Sequence, residues 1–198
     1  MIVLLLRKRL VVFALAAAML AAVFAGGGAL MDVGVHNIDV AEFIIGSRTK
    51  RVTGFTDTRT FSYDVDDCCQ LLIQLENGAV AYIDGAFIMH GTPGLNGGPA
   101  GMLLEVYGTK GSILAQGTVG QVETGEISAF VIGADGKRET LEFEPNFTSM
   151  YAKEIAAFGE AVMNDTVPPV SFEDGLWIQK VAEAAYLAQE EARVVEVK

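Results

Sequence analysis

Seven segments of strand character follow one another between Lys50 and Phe143, and nothing of helical period falls between them. They are Lys50–Phe55, Cys69–Leu75, Ala79–Phe87, Leu103–Tyr107, Ser112–Ala115, Ile127–Ile132 and Glu139–Phe143. Turn signals such as Glu76-Asn77-Gly78, Gly108-Thr109-Lys110-Gly111 and Ala134-Asp135-Gly136-Lys137 separate most of them. Neighbouring parallel strands need a long crossover, usually a helix, so this order predicts a mostly antiparallel sheet. Helices are confined to the two ends. Ala29 to Ile45 spaces Leu30, Val33, Phe43 and Ile44 among polar residues and stops at Gly46. A second helix is expected from about Thr148 to Asn164, with Tyr151, Ile155, Phe158 and Val162 on one core-facing stripe. A third is expected from about Phe172 to Glu191, with Leu176, Val181, Ala184 and Leu187 inward and Asp174 near its positive end. Pro168-Pro169 separates these two, and Val194–Val197 reads as a last strand. The fold class is α+β: an open, mostly antiparallel β-sheet with helices packed on one face, and no Rossmann domain.

Charge narrows the partners. The chain carries 25 acidic residues against 14 basic ones, and three of the bases are Arg7, Lys8 and Arg9. No basic run occurs beyond them, which argues against a nucleic-acid surface. Cys68 and Cys69 are neighbours and would point to opposite faces of a strand, so a disulfide between them is not expected. With these and only His36 and His90, the usual Cys/His zinc site cannot be assembled, and no metal ligands are assigned. Residues 1–25 pair a basic start with the apolar run Leu10–Ala25, as a signal-like leader would. Export or membrane association follows if that segment is a leader. A cytoplasmic protein follows if it is the start of a truncated or frameshifted product. Residues 26–198 then form the folded domain.

The densest chemistry lies in Asp32-Val33-Gly34-Val35-His36-Asn37-Ile38-Asp39. On a helix, spacings of four and three place Asp32, His36 and Asp39 about one turn apart on one stripe. A carboxylate there can orient the imidazole, which can then take a proton from, or return it to, a substrate hydroxyl. The same spacing also suits a plain surface stripe with a satisfied histidine.

That run, preceded by Gly26-Gly27-Gly28, resembles the Gly-rich Asp-x-x-x-His-x-x-Asp element of the Gfo/Idh/MocA oxidoreductases, the family of glucose–fructose oxidoreductase and inositol dehydrogenase. Leu104–Ser112, the helix over Tyr151–Val162, and Glu173-Asp174-Gly175-Leu176 followed by Lys180–Ala185 fit the same pattern in the same order. The resemblance implies a two-domain enzyme. Its Rossmann domain binds NAD(P), while its α+β domain holds a sugar, cyclitol or related polyol and assembles into a homo-oligomer through the sheet. By that resemblance His36 is the acid/base, Asp32 its support and Asp39 a residue close to substrate; Asn37, beside His36, and His90, which follows a strand, are further substrate-binding candidates. His90, ahead of the segment holding Gly94, Gly97, Gly98 and Gly101, reads first as an exposed loop histidine and only second as substrate-facing.

The family's Glu-Lys-Pro motif is missing, and no Gly-x-Gly-x-x-Gly stands between a strand and a helix. Cofactor-binding residues are therefore unassigned, and NAD(P) is implied only by the family. Two functions follow. One is the substrate-binding C-terminal domain of an NAD(P)-dependent oxidoreductase, working with a nucleotide-binding domain on a separate chain. The other is a non-catalytic, stand-alone binding or oligomerisation module, or a truncated gene product.

Overall fold

The computed structural model describes residues 26–87, 103–117, 125–143 and 149–198. Residues 1–25, on which the leader expectation rests, His90 and the Gly/Pro-rich segment 91–101 lie outside the described residues. In chain order the elements are a π-helical turn (Leu30–Gly34), α1 (Val35–Ile45), β1 (Thr49–Asp57), β2 (Cys68–Leu75), β3 (Val80–Ala86), β4 (Leu103–Gly108), β5 (Gly111–Gln116), β6 (Glu126–Ile132), β7 (Arg138–Leu141), α2 (Met150–Asn164), α3 (Phe172–Glu191) and β8 (Val195–Glu196). They fall into two units, one formed by residues up to Ile88 with Val170–Lys198, the other by Met89–Pro169. Among the described residues the class is α+β with antiparallel pairing, and the strands lie in two four-stranded sheets, ordered β3-β2-β1-β8 and β4-β5-β6-β7. Alternation in a sequence identifies strands but does not say which of them share a ladder, so one sheet was the simplest expectation and two is the finding.

In the first unit, period-two alternation sorts the side chains. Val52, Cys69, Leu71, Ile73, Leu75 and Ile83 are buried in one cluster with Leu30, Ile38, Val181 and Ala185. Phe55, Leu72, Val80 and Tyr82 are exposed. The register sets Leu72 between Thr53 and Tyr82, so the exposed residues form one patch across three strands. α3 packs on β1 through Ile178, Val181, Ala182, Ala185 and Ala188. Here the expectation for Leu176 and Leu187 is corrected: they are 58% and 37% exposed. Counting from the fully buried Val181, the inward positions are three, four and seven residues away, and Leu176 and Leu187 stand five and six away.

Small residues let the N-terminal helical segment approach the sheet. A Cβ on Gly34 would lie 3.0 Å from the Cys69 sulfur, and one on Gly85 also 3.0 Å from it. The thiol thus fills the space that two missing side chains leave. Both cysteines are free, and burial pushes the Cys69 thiol up to about 12. The helix expected over Ala29–Ile45 is in fact two pieces, because the Val35 amide reaches back five residues to the Leu30 carbonyl. It ends as predicted at Gly46, which takes the left-handed conformation with φ 69°.

The second unit is a four-stranded meander. Gly133 and Lys137 close the β6–β7 hairpin, with Gly136 at φ 77°. α2 forms where its period predicted, yet its stripe is not core: Ile155 is 73% exposed and Val162 66%, with Tyr151 and Phe158 also open. Amphipathic spacing gives a helix an apolar face without supplying the surface that covers it. Among the described residues of α2, Ala161 is the buried one.

The β2 register predicts that two adjacent leucines differ sharply. Leu71→Ala should cost about 2–5 kcal/mol of unfolding free energy and Leu72→Ala less than about 1 kcal/mol, measured by urea unfolding.

Candidate functional site

The N-terminal end of this helical segment is organised by a pair of aspartates that follow β1. Asp67 is fully buried, and one of its oxygens accepts the amides of Arg59, Thr60 and Phe61 at 2.9, 2.7 and 3.1 Å. Burial pushes its carboxyl up, but those three amides outweigh it and hold the group below the usual carboxylate range. The loop so fixed presents Asp66. Its carboxylate accepts the amides of Gly28 (3.1 Å) and Leu30 (2.7 Å) and the Tyr186 hydroxyl (2.7 Å), while its carbonyl accepts the Ala29 amide (2.8 Å). A side chain at residue 28 would collide with the Asp66 backbone, so glycine is required there. Burial and the Asp66 carboxylate push the Tyr186 hydroxyl above its ordinary range.

The candidates follow on this support. Asp32 is exposed and lies in the π-helical turn, whereas His36, Asn37 and Asp39 belong to α1. His36 faces solvent, and Asp39, one turn on, is half-buried. Burial, together with the nearby Glu42 and Asp174 carboxylates, pushes the Asp39 carboxyl up, against the opposing pull of Arg48 and His36. Among the described residues no hydrogen bond joins Asp32, His36 and Asp39; the π turn interrupts the regular spacing of four that would set Asp32 over His36. Asn37 spends its amide on the Asp84 carbonyl of β3 at 2.9 Å, which ties α1 to the sheet.

Sequence reasoning missed the residues behind Asp39. Glu42, only 5% exposed, accepts the Thr49 amide (2.8 Å), the Trp177 indole (3.1 Å) and Arg48 (3.2 Å). Arg48 also pairs with Asp174 and lies over the Trp177 ring, 5.8 Å from its centroid. Asp174 completes a capping box with Ser171 at the start of α3. The Ser171-Phe172-Glu173-Asp174 spacing was a readable signal for that box. Nothing local in the sequence pairs Glu42 with Trp177, 135 residues away.

A hollow of about 380 Å³ opens elsewhere in this unit, lined by Gly26, Asp57, Asp64, Asp66 and Tyr186 among others. Its lining includes none of Asp32, His36, Asn37 and Asp39. A dinucleotide's diphosphate is ordinarily met by free amides at a helix N-terminus. Here the Gly28 and Leu30 amides are already taken by a carboxylate, whose charge repels phosphate. The described residues at this glycine turn therefore do not fit NAD(P).

Comparison with known proteins identifies the family. The profile of an oxidoreductase family's C-terminal alpha/beta domain, that of the Gfo/Idh/MocA proteins, matches residues 23–197. The NADP-dependent D-xylose 1-dehydrogenase 2 of Haloferax volcanii is 26% identical over 171 residues, covering 86% of this chain and 48% of that protein. The myo-inositol 2-dehydrogenase of Thermotoga maritima is 27% identical over 179 residues, covering 87% and 50%. The chain thus spans about half the length of these curated relatives. In fold it is similar to the aldose-aldose oxidoreductase of Caulobacter crescentus solved with glycerol, with a TM-score of 0.70, 23% identity and coverage of 86% of this chain and 48% of that one.

The Asp174 carboxyl generates a pH prediction. Hydrogen bonds from the Ser171 amide and hydroxyl, with Arg48, pull it down to about 2. A carboxyl held lower in the folded than in the unfolded chain stabilises the fold above its unfolded value, near 4. That contribution disappears as pH falls from about 4 towards 2. Urea midpoints of Asp174→Asn should therefore show a shallower loss across this window than the wild type.

Proposed function

Because this chain belongs to the Gfo/Idh/MocA oxidoreductase family as its C-terminal α/β domain, we propose that it is the substrate-handling part of an NAD(P)-dependent dehydrogenase acting on a sugar, cyclitol or related polyol. The observation that carries this reading is the solvent-facing His36 one turn from Asp39, a half-buried carboxyl biased towards its protonated form. An exposed imidazole can accept a proton from a hydroxyl, and a neighbouring carboxyl can hydrogen-bond the adjacent oxygen. Asp32, exposed on the preceding turn, is retained as the supporting carboxylate of this reading, with no hydrogen bond to His36 among the described residues. His90, outside the described residues, is kept as a substrate-binding candidate. Relatives named for D-xylose and myo-inositol support a polyhydroxylated substrate class.

Hydride chemistry belongs to the nicotinamide. In this reading the dinucleotide is held by a nucleotide-binding domain, on a longer polypeptide or a separate chain. Asn37 acts by fixing α1 against β3, leaving His36 and Asp39 to meet substrate.

Calorimetric titration of the 198-residue chain with D-xylose and myo-inositol tests the reading. Saturable binding of at least one, weakened by Asp39→Ala, is expected; no binding of any polyol would overturn it. In an assembly that carries the dinucleotide, His36→Ala should lower kcat about 10²–10⁴-fold with little change in KM. Asp32→Asn should lower it less.

The apolar patch of Phe55, Leu72, Val80 and Tyr82 favours a second role, self-association. A sheet face of this kind is self-complementary about a two-fold axis. Light scattering should show a dimer that Leu72→Asp converts to monomer.

A further inference from the structure

On α1 three chemically active residues follow at intervals of three: His36, Asp39 and Glu42. Residues three apart are neighbours on a helix surface but drift steadily around it. The row accordingly descends from solvent into the core, with His36 exposed, Asp39 half-buried and Glu42 buried. At its buried end every carboxylate but one has a partner. Glu42 is held by Thr49, Trp177 and Arg48, and Asp174 by Ser171 and Arg48. Asp39, in the middle, makes no hydrogen bond among the described residues.

We propose that Arg48 is a positioning residue for the His36–Asp39 pair: by gripping Glu42 and Asp174 it holds the inner end of α1 against α3 and places a positive charge behind the Asp39 carboxyl. The inference rests on the reading of α1 as the substrate-facing helix. A planar guanidinium suits the task, since it serves two carboxylates at once and stacks on an aromatic ring. Arg48 does both, with Trp177 beneath it. The charged groups that act on Asp39 are His36 and Glu42 from its own helix, Arg48 beyond the helix end, and Asp174 from α3. Two carboxylates, Glu42 and Asp174, share this one guanidinium and Asp39 feels its charge without bonding to it, so a change at Arg48 or Asp174 alters the proton affinity of Asp39. The direction follows from Coulomb's law. Loss of the guanidinium favours the protonated Asp39, and loss of the Asp174 charge favours the ionised form.

The test is a ¹³C titration of the Asp39 side-chain carboxyl in the full chain, assigned with Asp39→Asn. Arg48→Gln should move its midpoint up by about half a pH unit, and Arg48→Lys should restore most of the difference. Asp174→Asn should move it down, with thermal unfolding confirming that each variant is folded. Local damage to packing gives no reason for opposite signs. An unmoved midpoint, or movement in one direction for both variants, would overturn the proposal. If Arg48→Gln does not fold, the downward movement in Asp174→Asn and a near-normal midpoint in Arg48→Lys decide the matter. Absence of polyol binding alongside the stated opposite movements would support the coupling and count against the functional reading alone.

Discussion

Asp66 gathers donors from two separated parts of the chain: the Gly28 and Leu30 amides that open the helical segment, and the Tyr186 hydroxyl from α3. A helix N-terminus leaves amides without intrahelical partners, and a carboxylate there satisfies them and complements the helix dipole. This contact comes from a residue 36 positions away rather than from a local cap. It therefore fixes where the segment starts relative to the sheet as well as satisfying it. The demand on Gly28 follows, because the same loop approaches too closely for any side chain. So does the chemistry at this turn, since amides committed to Asp66 cannot receive a phosphate.

From that fixed start the remaining contacts direct α1. Gly34, Cys69 and Gly85 bring its first turn onto β2 and β3, and Asn37 secures it to the Asp84 carbonyl. Glu42, Arg48, Trp177 and Asp174 close the far end against α3. A helix clamped at both ends and along its middle holds His36 and Asp39 in place without either residue serving the clamp. Such support is what general acid/base chemistry requires, because a proton acceptor acts only within hydrogen-bond reach of the hydroxyl.

Much of the architecture was legible because it depends on local period and punctuation. Alternation placed β2 to within a residue, Gly46 marked the end of α1, and Pro168-Pro169 separated α2 from α3. The resemblance carried by Asp32-x-x-x-His36-x-x-Asp39 identified the family that the profile match establishes. What stayed hidden depends on distant partners. The π turn, with Leu30 and Gly34 buried against the sheet, has no local signature, and an ideal helical spacing for Asp32 does not anticipate it. Asp66 and Glu42 read as ordinary acids until Tyr186 and Trp177 are brought beside them. Leu176 and Leu187 lie off the inward face, which Ile178, Val181 and small alanines fill against β1.

The most direct test of α1 as the substrate-facing element is an amide chemical-shift map of the isotopically labelled chain titrated with myo-inositol. The account predicts shifts concentrated over Val35–Glu42 and the neighbouring Asp84 strand, saturating together. Shifts confined to the hollow around Asp57, Asp64 and Tyr186, or no saturable shift with any polyol, would contradict it.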